Sequence, residues 1–294
     1  MPKLLFLYNP CAGKGSIKNK ISDVVDIFVK AGYDVTIYPT QCEEDGKRKI
    51  LADGKKYKRI VCCGGDGTLN EVVSGMMETG LTMPLGYIPL GSTNDFGNSL
   101  GIPKQAIRAA RAAVGERHYH SDVGRFNDRW FVYVAAFGLF TDVSYQTKQE
   151  LKNVFGHSAY VLEAMKRLYN VPCYPMTICY DDEQISGEYI YGMVSNSESV
   201  GGFKNLTGKE VHLDDGLYEV VMIRQPANAL QFQEMLMSVL SGQLKAANID
   251  TFKASKLTIT SEVSVPWTLD GEFGGEHKQV SIVNHMQALD ILIS

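Results

Sequence analysis

The sequence has no C-x-x-C pair, no H-E-x-x-H motif and no cysteine–histidine spacing of a zinc site, so a zinc centre is not expected. It has no long apolar run. Its longest apolar stretch, Phe131 to Phe140, falls far short of the ~20 residues of a membrane-spanning helix. The opening Met-Pro-Lys-Leu-Leu-Phe-Leu-Tyr lacks the apolar length and small-residue cleavage site of a secretory signal. A cytoplasmic setting with reduced cysteines is therefore expected, and any membrane association would be peripheral. Positive charge is not in excess. Lys and Arg number 29 against 33 Asp and Glu, for a net charge of -4, which gives no footprint for nucleic acid. The two commonest phosphate loops are missing as well. Gly13-Lys14 has neither the upstream glycine nor the following Ser/Thr of a P-loop, and no Gly-x-Gly-x-x-Gly follows the first strand.

What the 294 residues do contain, 45% of them hydrophobic and 21% charged, suits a globular protein of about two domains. The first part alternates strand and helix: strands at Leu4–Tyr8, Asp34–Tyr38, Arg59–Cys63 and Leu85–Pro89, and helices at Ile17–Lys30, Gly46–Leu51, Leu69–Met77 and Lys104–Val114. Alternation of this kind predicts a doubly wound parallel sheet with helices on both faces and ligands beyond the strands' carboxyl ends. After about His118, strand patterns dominate (Trp130–Ala136, Pro175–Tyr180, Glu188–Ser195, Leu217–Ile223, Lys256–Thr260, Val263–Leu269, Val280–Val283), with helical interruptions at Gln149–Tyr169 and Asn228–Leu240. Apolar–polar alternation predicts a mostly antiparallel β domain. The expected division is an α/β domain over 1–124 and a β domain over 125–284; a last strand, Ala288–Ile293, is open to either domain, and 285–294 would join the first if it pairs there.

The most informative segment is Gly64-Gly65-Asp66-Gly67-Thr68, between an apolar strand and a helix. Its glycines let backbone N–H groups approach a phosphate, and the helix adds the positive end of its dipole. Asp66 places a negative charge in the same cradle, which suits phosphate only with a cation between them or with a proton-transfer role. Nucleotide phosphate with Mg²⁺ is the implied ligand. Gly91-Ser-Thr93-Asn-Asp95 repeats the strand–turn–helix geometry, although alone it reads as a helix cap. Asp122 ends the next apparent strand, His118–Val123; alone it reads as a turn residue. Three carboxylates at three strand ends suit one hydrated Mg²⁺ held through water. Asn9-Pro10-Cys11-Ala12-Gly13-Lys14-Gly15 follows the first strand and reads as a plain βα loop or, through its two glycines and Lys14, as a further phosphate loop; Thr40 follows the second strand, where it could touch base or ribose. Asp270-Gly271-Glu272 is a hairpin turn in isolation; facing the crevice, Glu272 is a candidate general base. Asp214-Asp215-Gly216 reads as a solvent turn or as a cation loop.

In these motifs the chain resembles the diacylglycerol kinase catalytic family of soluble bacterial lipid kinases, related to sphingosine kinases and NAD kinases. The matching residues are Asn9-Pro10-x-Ala-Gly13, Gly64 to Glu71, Gly91 to Phe96, Asp122, Asp215-Gly216-Leu217 and Asp270-Gly271-Glu272, in the family's order. The stretches Phe137–Tyr145 and Gly156–Tyr160 resemble the branch found in Gram-positive bacteria. The resemblance implies ATP bound through Asn9, Pro10, Cys11, Ala12 and Gly13, through Thr40, through Gly64, Gly65, Asp66, Gly67, Thr68, Leu69 and Asn70, and through Thr93. It implies a catalytic Mg²⁺ network of Asp66, Asp95 and Asp122. Glu272 would be the proton acceptor, with Asp66 its rival, as in sphingosine kinases. A structural Mg²⁺ would be held by Asp215 and the carbonyls of His212 and Leu217. The second domain would be a β-sandwich, the substrate a diacylglycerol-like lipid at a membrane surface, the product phosphatidic acid, and the assembly a homodimer. Tyr133 stands where many relatives have Asn, and Gly138-Leu-Phe where they have Gly-Phe-Asp; both departures concern the lipid side. Two alternatives remain at this point. One is an NAD kinase-like enzyme, whose Asn-Glu and Thr-Pro-Thr-Gly-Ser type segments are not found here. The other is a non-catalytic nucleotide- or lipid-binding module. The basic and apolar residues of Lys148–Tyr169 read as a packed helix or as a membrane-surface helix.

Overall fold

The structure, a computed structural model, describes residues 1–15, 17–138, 172–197, 199–200, 203–204, 211–241 and 243–294. The expected helix at Gln149–Tyr169 and the Gram-positive-type stretch beyond Gly138 lie outside the described residues. The chain divides into two compact units. The first comprises Met1–Tyr133, His212–Gly216 and Asn284–Ser294; the second comprises Val134–Val211 and Leu217–Val283.

In the first unit, β1 (Lys3–Tyr8), β2 (Asp34–Pro39), β3 (Arg59–Gly64) and β4 (Leu85–Pro89) form a parallel sheet in the order β4-β3-β1-β2. Near-continuous apolar runs fit strands covered on both faces: Leu4 to Leu7, Ile60 to Cys63, Leu85, Tyr87 and Ile88 are all buried. The crossovers are α1 (Ile21–Lys30), α2 (Asp45–Asp53) and α3 (Asp66–Thr79). Two further helices follow β4: α4 (Asp95–Ser99) and α5 (Ala106–Ala112). Val24 and Phe28 form the buried stripe of α1. The helix expected from Ile17 starts later, because Lys20 leaves helical geometry and a tight turn closes from Lys20 N–H to the Ile17 carbonyl.

The unit continues through β5 (His118–Phe126), which hairpins onto β6 (Arg129–Phe131). This hairpin carries the unit on to Tyr133, past the expected boundary at 124. It also splits the expected strand Trp130–Ala136: Trp130 pairs back with Arg125, whereas β7 (Val134–Gly138) pairs with strands of the second unit.

The second unit is antiparallel. Its strands are β7, β8 (Tyr174–Tyr180), β9 (Glu183–Ser195), the short pair β10 (Ser199–Val200) and β11 (Phe203–Lys204), β12 (Tyr218–Arg224), β13 (Ile249–Ala254), β14 (Lys256–Leu269) and the first half of β15 (Glu272–Leu292). The long strand β9 pairs with β8 through its first half, with β7 through its second, and with β12. A single strand, β14, replaces the two expected at Lys256–Thr260 and Val263–Leu269. The register slips between Thr260 and Val265, and such a bulge hides continuity in the alternation pattern. The helix α6 (Ala229–Ser241) buries Phe232, Met235 and Leu236. At the core, the Phe137 ring stands 4.9 Å from Trp267 and 5.8 Å from Tyr174.

Close packing in the first unit depends on Gly86. A Cβ there would stand 2.5 Å from the Ala113 Cβ and 2.7 Å from the Ala113 carbonyl oxygen. Gly86→Ala is expected to cost about 1–3 kcal/mol, read as a lower urea midpoint at unchanged slope; an unchanged midpoint would show that α5 yields freely.

Candidate active site

The site grows from the carboxyl ends of β1, β3 and β4. After β3, Gly65 is extended (φ -88°, ψ -173°) and Asp66 opens α3 with no side-chain cap. The first-turn N–H groups of a helix have no intrahelical partners, so here they and the helix dipole form a ready anion cradle. The loop after β4 packs against this one backbone to backbone. A Cβ on Gly91 would stand 2.7 Å from the Gly65 Cα, and one on Gly65 would stand 3.2 Å from the Gly91 Cα. Neither loop can carry a side chain at the contact, which explains glycine in both motifs. The Asn94 side chain shapes the second loop, accepting from Gly91 N–H at 2.6 Å and donating to the Gly91 carbonyl at 2.8 Å. Thr93 then donates its hydroxyl to Asp66 Oδ2 at 3.1 Å. Asp95 follows, fully buried, as the first residue of α4.

The loop after β1 joins the same cluster. Asn9 N–H donates to the Cys63 carbonyl at 2.9 Å, and Asn9 Nδ2 donates to Thr68 Oγ1 at 3.3 Å. Asn9 Oδ1 accepts from Cys11 N–H at 2.9 Å and its carbonyl from Ala12 N–H at 3.2 Å. Thr40 is buried, its N–H on the Tyr8 carbonyl at 2.9 Å. Leu69 is buried on α3. Asn70 donates to the Trp130 carbonyl at 3.1 Å and accepts from Ser74 at 3.3 Å, which commits its amide to holding α3 against β6. The sequence reading gave no role to Glu71. Its carboxylate accepts from the N–H groups of Glu44 and Gly46, each at 2.9 Å, and so fixes the start of α2. Burial pushes the Glu71 carboxyl above its ordinary value, against the pull of those two amides.

Asp122 is fully buried and gathers donors from the 212–216 loop and from β15. Its Oδ2 accepts from Gly216 N–H at 2.8 Å and Asn284 Nδ2 at 3.0 Å; its Oδ1 accepts from Gln287 N–H at 2.7 Å. Its own N–H donates to the Leu213 carbonyl at 2.7 Å. Burial pushes the Asp122 carboxyl up; the three donors oppose this, and the nearby Asp215 charge adds a smaller upward push. The loop His212–Gly216, including Asp215, is thus tied to β5 and β15. Asn284 Oδ1 is buried and has no donor among the described residues. His212 is exposed.

Glu272 opens β15 in the second unit. The turn before it has both Asp270 (φ 51°) and Gly271 (φ 88°) in the left-handed region, and Leu269 pairs with Glu272. This is the expected two-residue hairpin, but Asp270 is buried, accepting from Val134 N–H at 3.0 Å and donating its own N–H to the Val134 carbonyl at 2.9 Å. Among the described residues, no group of three or more His, Cys, Asp or Glu side chains stands ready to hold a metal directly.

An α/β unit with an acid in a backbone phosphate cradle, joined to a β-sandwich unit, defines a phosphotransferase class. Residues 3–126 match the family described as "Diacylglycerol kinase catalytic domain", and residues 135–292 match the "YegS C-terminal NAD kinase beta sandwich-like domain". The chain is 32% identical to a diacylglycerol kinase of Staphylococcus carnosus, over 92% of this chain and 88% of that one. It is 31% identical to a diacylglycerol kinase of Bacillus subtilis, over 94% and 91%. A Bacillus anthracis str. Sterne crystal structure shares the fold at a TM-score of 0.82 and 25% identity, covering 100% of this chain and 95% of that one. The chain belongs to the diacylglycerol kinase family and is a kinase with ATP as the implied phosphate donor.

Gly91→Ala is expected to push the two loops apart and weaken ATP binding about tenfold, an increment of ~1.4 kcal/mol, by calorimetry. Unchanged affinity would show that the contact does not shape the cradle.

Proposed function

We propose that the chain transfers the γ-phosphoryl group of ATP to the hydroxyl of diacylglycerol or a similar lipid alcohol, giving phosphatidic acid. The observation that carries this reading is Asp66 at the open N-terminus of α3, bonded to Thr93 across two glycine loops in backbone contact, in a chain whose relatives are named diacylglycerol kinases.

In this reading the Gly65–Thr68 amides hold the phosphates, helped by the α3 dipole. Asn9 to Gly13 close over them, and Thr40 lies toward the base and ribose. Thr93 keeps the Asp66 carboxylate oriented. Asp66, Asp95 and Asp122 would hold the catalytic Mg²⁺. Asp122 would do so through water, because both its oxygens already accept hydrogen bonds and Mg²⁺ retains much of its hydration. The ion, when bound, neutralises charge on the transferred group. Asp215 with the His212 and Leu217 carbonyls would hold a second, structural Mg²⁺. The all-oxygen set suits a hard cation, and the loop is preformed by its bonds to Asp122.

Glu272 takes the proton from the lipid hydroxyl as it attacks the γ-phosphorus; Asp66 is the alternative acceptor. No described helix is long and apolar enough to cross a membrane, and the proposed enzyme meets its lipid peripherally, from the cytoplasmic side, as a homodimer.

Incubation of labelled ATP with a panel of lipid alcohols, and separately with NAD, tests the acceptor; label in NAD and in no lipid would overturn the reading. Glu272→Gln should keep ATP affinity within about twofold while turnover falls ~10²–10⁴-fold. Asp66→Asn should lose affinity and turnover together. Near-normal turnover in Glu272→Gln would transfer the proton to Asp66.

A further inference from the structure

Asn284 stands in the Asp122 array with only half of its amide used. Its Nδ2 donates to Asp122 Oδ2 at 3.0 Å, the same oxygen that accepts from Gly216 N–H at 2.8 Å. Its Oδ1 is buried without a donor among the described residues. The amide cannot be reversed to mend this, because the oxygen would then face a carboxylate, which only accepts. Three residues on, Gln287 adopts a left-handed backbone (φ 52°). That bend delivers its N–H to Asp122 Oδ1 at 2.7 Å and its side-chain Nε2 to the Asp214 carbonyl at 3.2 Å. The Asn284–Gln287 segment of β15 is therefore shaped around the loop that contains Asp215, and it leaves one buried acceptor beside the Asp122 oxygen that also takes the Gly216 N–H.

We infer that Asn284 Oδ1 receives the hydration shell of the divalent cation held at the 212–217 loop, making Asn284 a positioning residue of that site. The inference rests on the cation reading given above. It goes beyond it by assigning an outer ligand from β15 to a site otherwise built from the loop alone. Mg²⁺ keeps several waters, and those waters need oriented acceptors. Partners beyond the direct ligands commonly set metal affinity by 10–100-fold.

The test is a MgCl₂ titration of the full chain without nucleotide, after EDTA treatment, followed by melting temperature. The wild type should rise saturably. Asp215→Asn should flatten the rise. Asn284→Ala should move the Mg²⁺ midpoint about tenfold higher. If Asn284→Ala does not fold, Asn284→Ser, whose hydroxyl is too short to span both partners, is read in the same titration with the same expectation. An unchanged midpoint in the folded Asn284 variant, with Asp215→Asn flat, overturns the role of Asn284 and leaves the loop cation standing. A wild type without a saturable rise, or a full response in Asp215→Asn, removes the loop cation and the inference with it.

Discussion

The buried carboxylate of Asp122 is the bond on which the first unit turns. It gathers N–H donors from Gly216, Asn284 and Gln287, residues far from it in the chain and drawn from the unit's other two segments. Burial works against the charge, and three charge-assisted hydrogen bonds work for it. One of those donors comes at a backbone cost. Gln287 sits in the left-handed region, which disfavours a residue with a Cβ by roughly 1–2 kcal/mol. The chain accepts that cost because a regular strand would carry the Gln287 N–H elsewhere. Removing the carboxylate would orphan all three donors at once, and an orphaned donor costs up to about 1–3 kcal/mol where water cannot reach it.

The α/β half was legible where local pattern and final pairing agree. Leu85–Pro89 has the bounds that its apolar run suggests, since a parallel strand covered on both faces needs only that run. The helix after the glycine loop begins at Asp66 rather than Leu69; apolar periodicity marks only the apolar face of a helix and passes over the polar and glycine residues of its first turn, Asp66, Gly67 and Thr68. The β half was less legible. The strand Ile249–Ala254 carries Asp250 and Lys253 and did not stand out, yet it pairs along its whole length with β12. The long strand β15 was expected as two pieces, because Gly274, Gly275 and the bend at Gln287 interrupt the alternation. Partner changes along one strand are non-local events, and alternation records only which face is buried.

At the site, residue types were legible and their partners less so. Two glycine loops at neighbouring strand ends could be expected to meet; that they meet Cα against Cα, at Gly65 and Gly91, follows only from the sheet order. Asn70 and Glu71 sit within the motif yet fasten β6 and the start of α2, so some motif residues support the cradle from behind. Asp270 looked like a plain turn residue, but it is buried against Val134, at the point where the chain enters its second unit. Most of these bonds use backbone N–H and carbonyl groups, which every residue but proline offers in the same form; side-chain identity therefore carries little trace of them.

The chain passes between its two units four times, and the third segment of the first unit follows the whole of the second unit in sequence. Leu289, Ile291 and Leu292 are buried there, Ile291 beside Leu85 of β4, and Ile293 N–H closes on the Arg117 carbonyl. A ribosome releases residues in order, so the α/β unit waits, with an open sheet edge, until the β unit has emerged. Loss of the Asn284–Ser294 segment would therefore strike the α/β unit, whose other strands lie far upstream in the message, before it struck the β unit beside it in sequence.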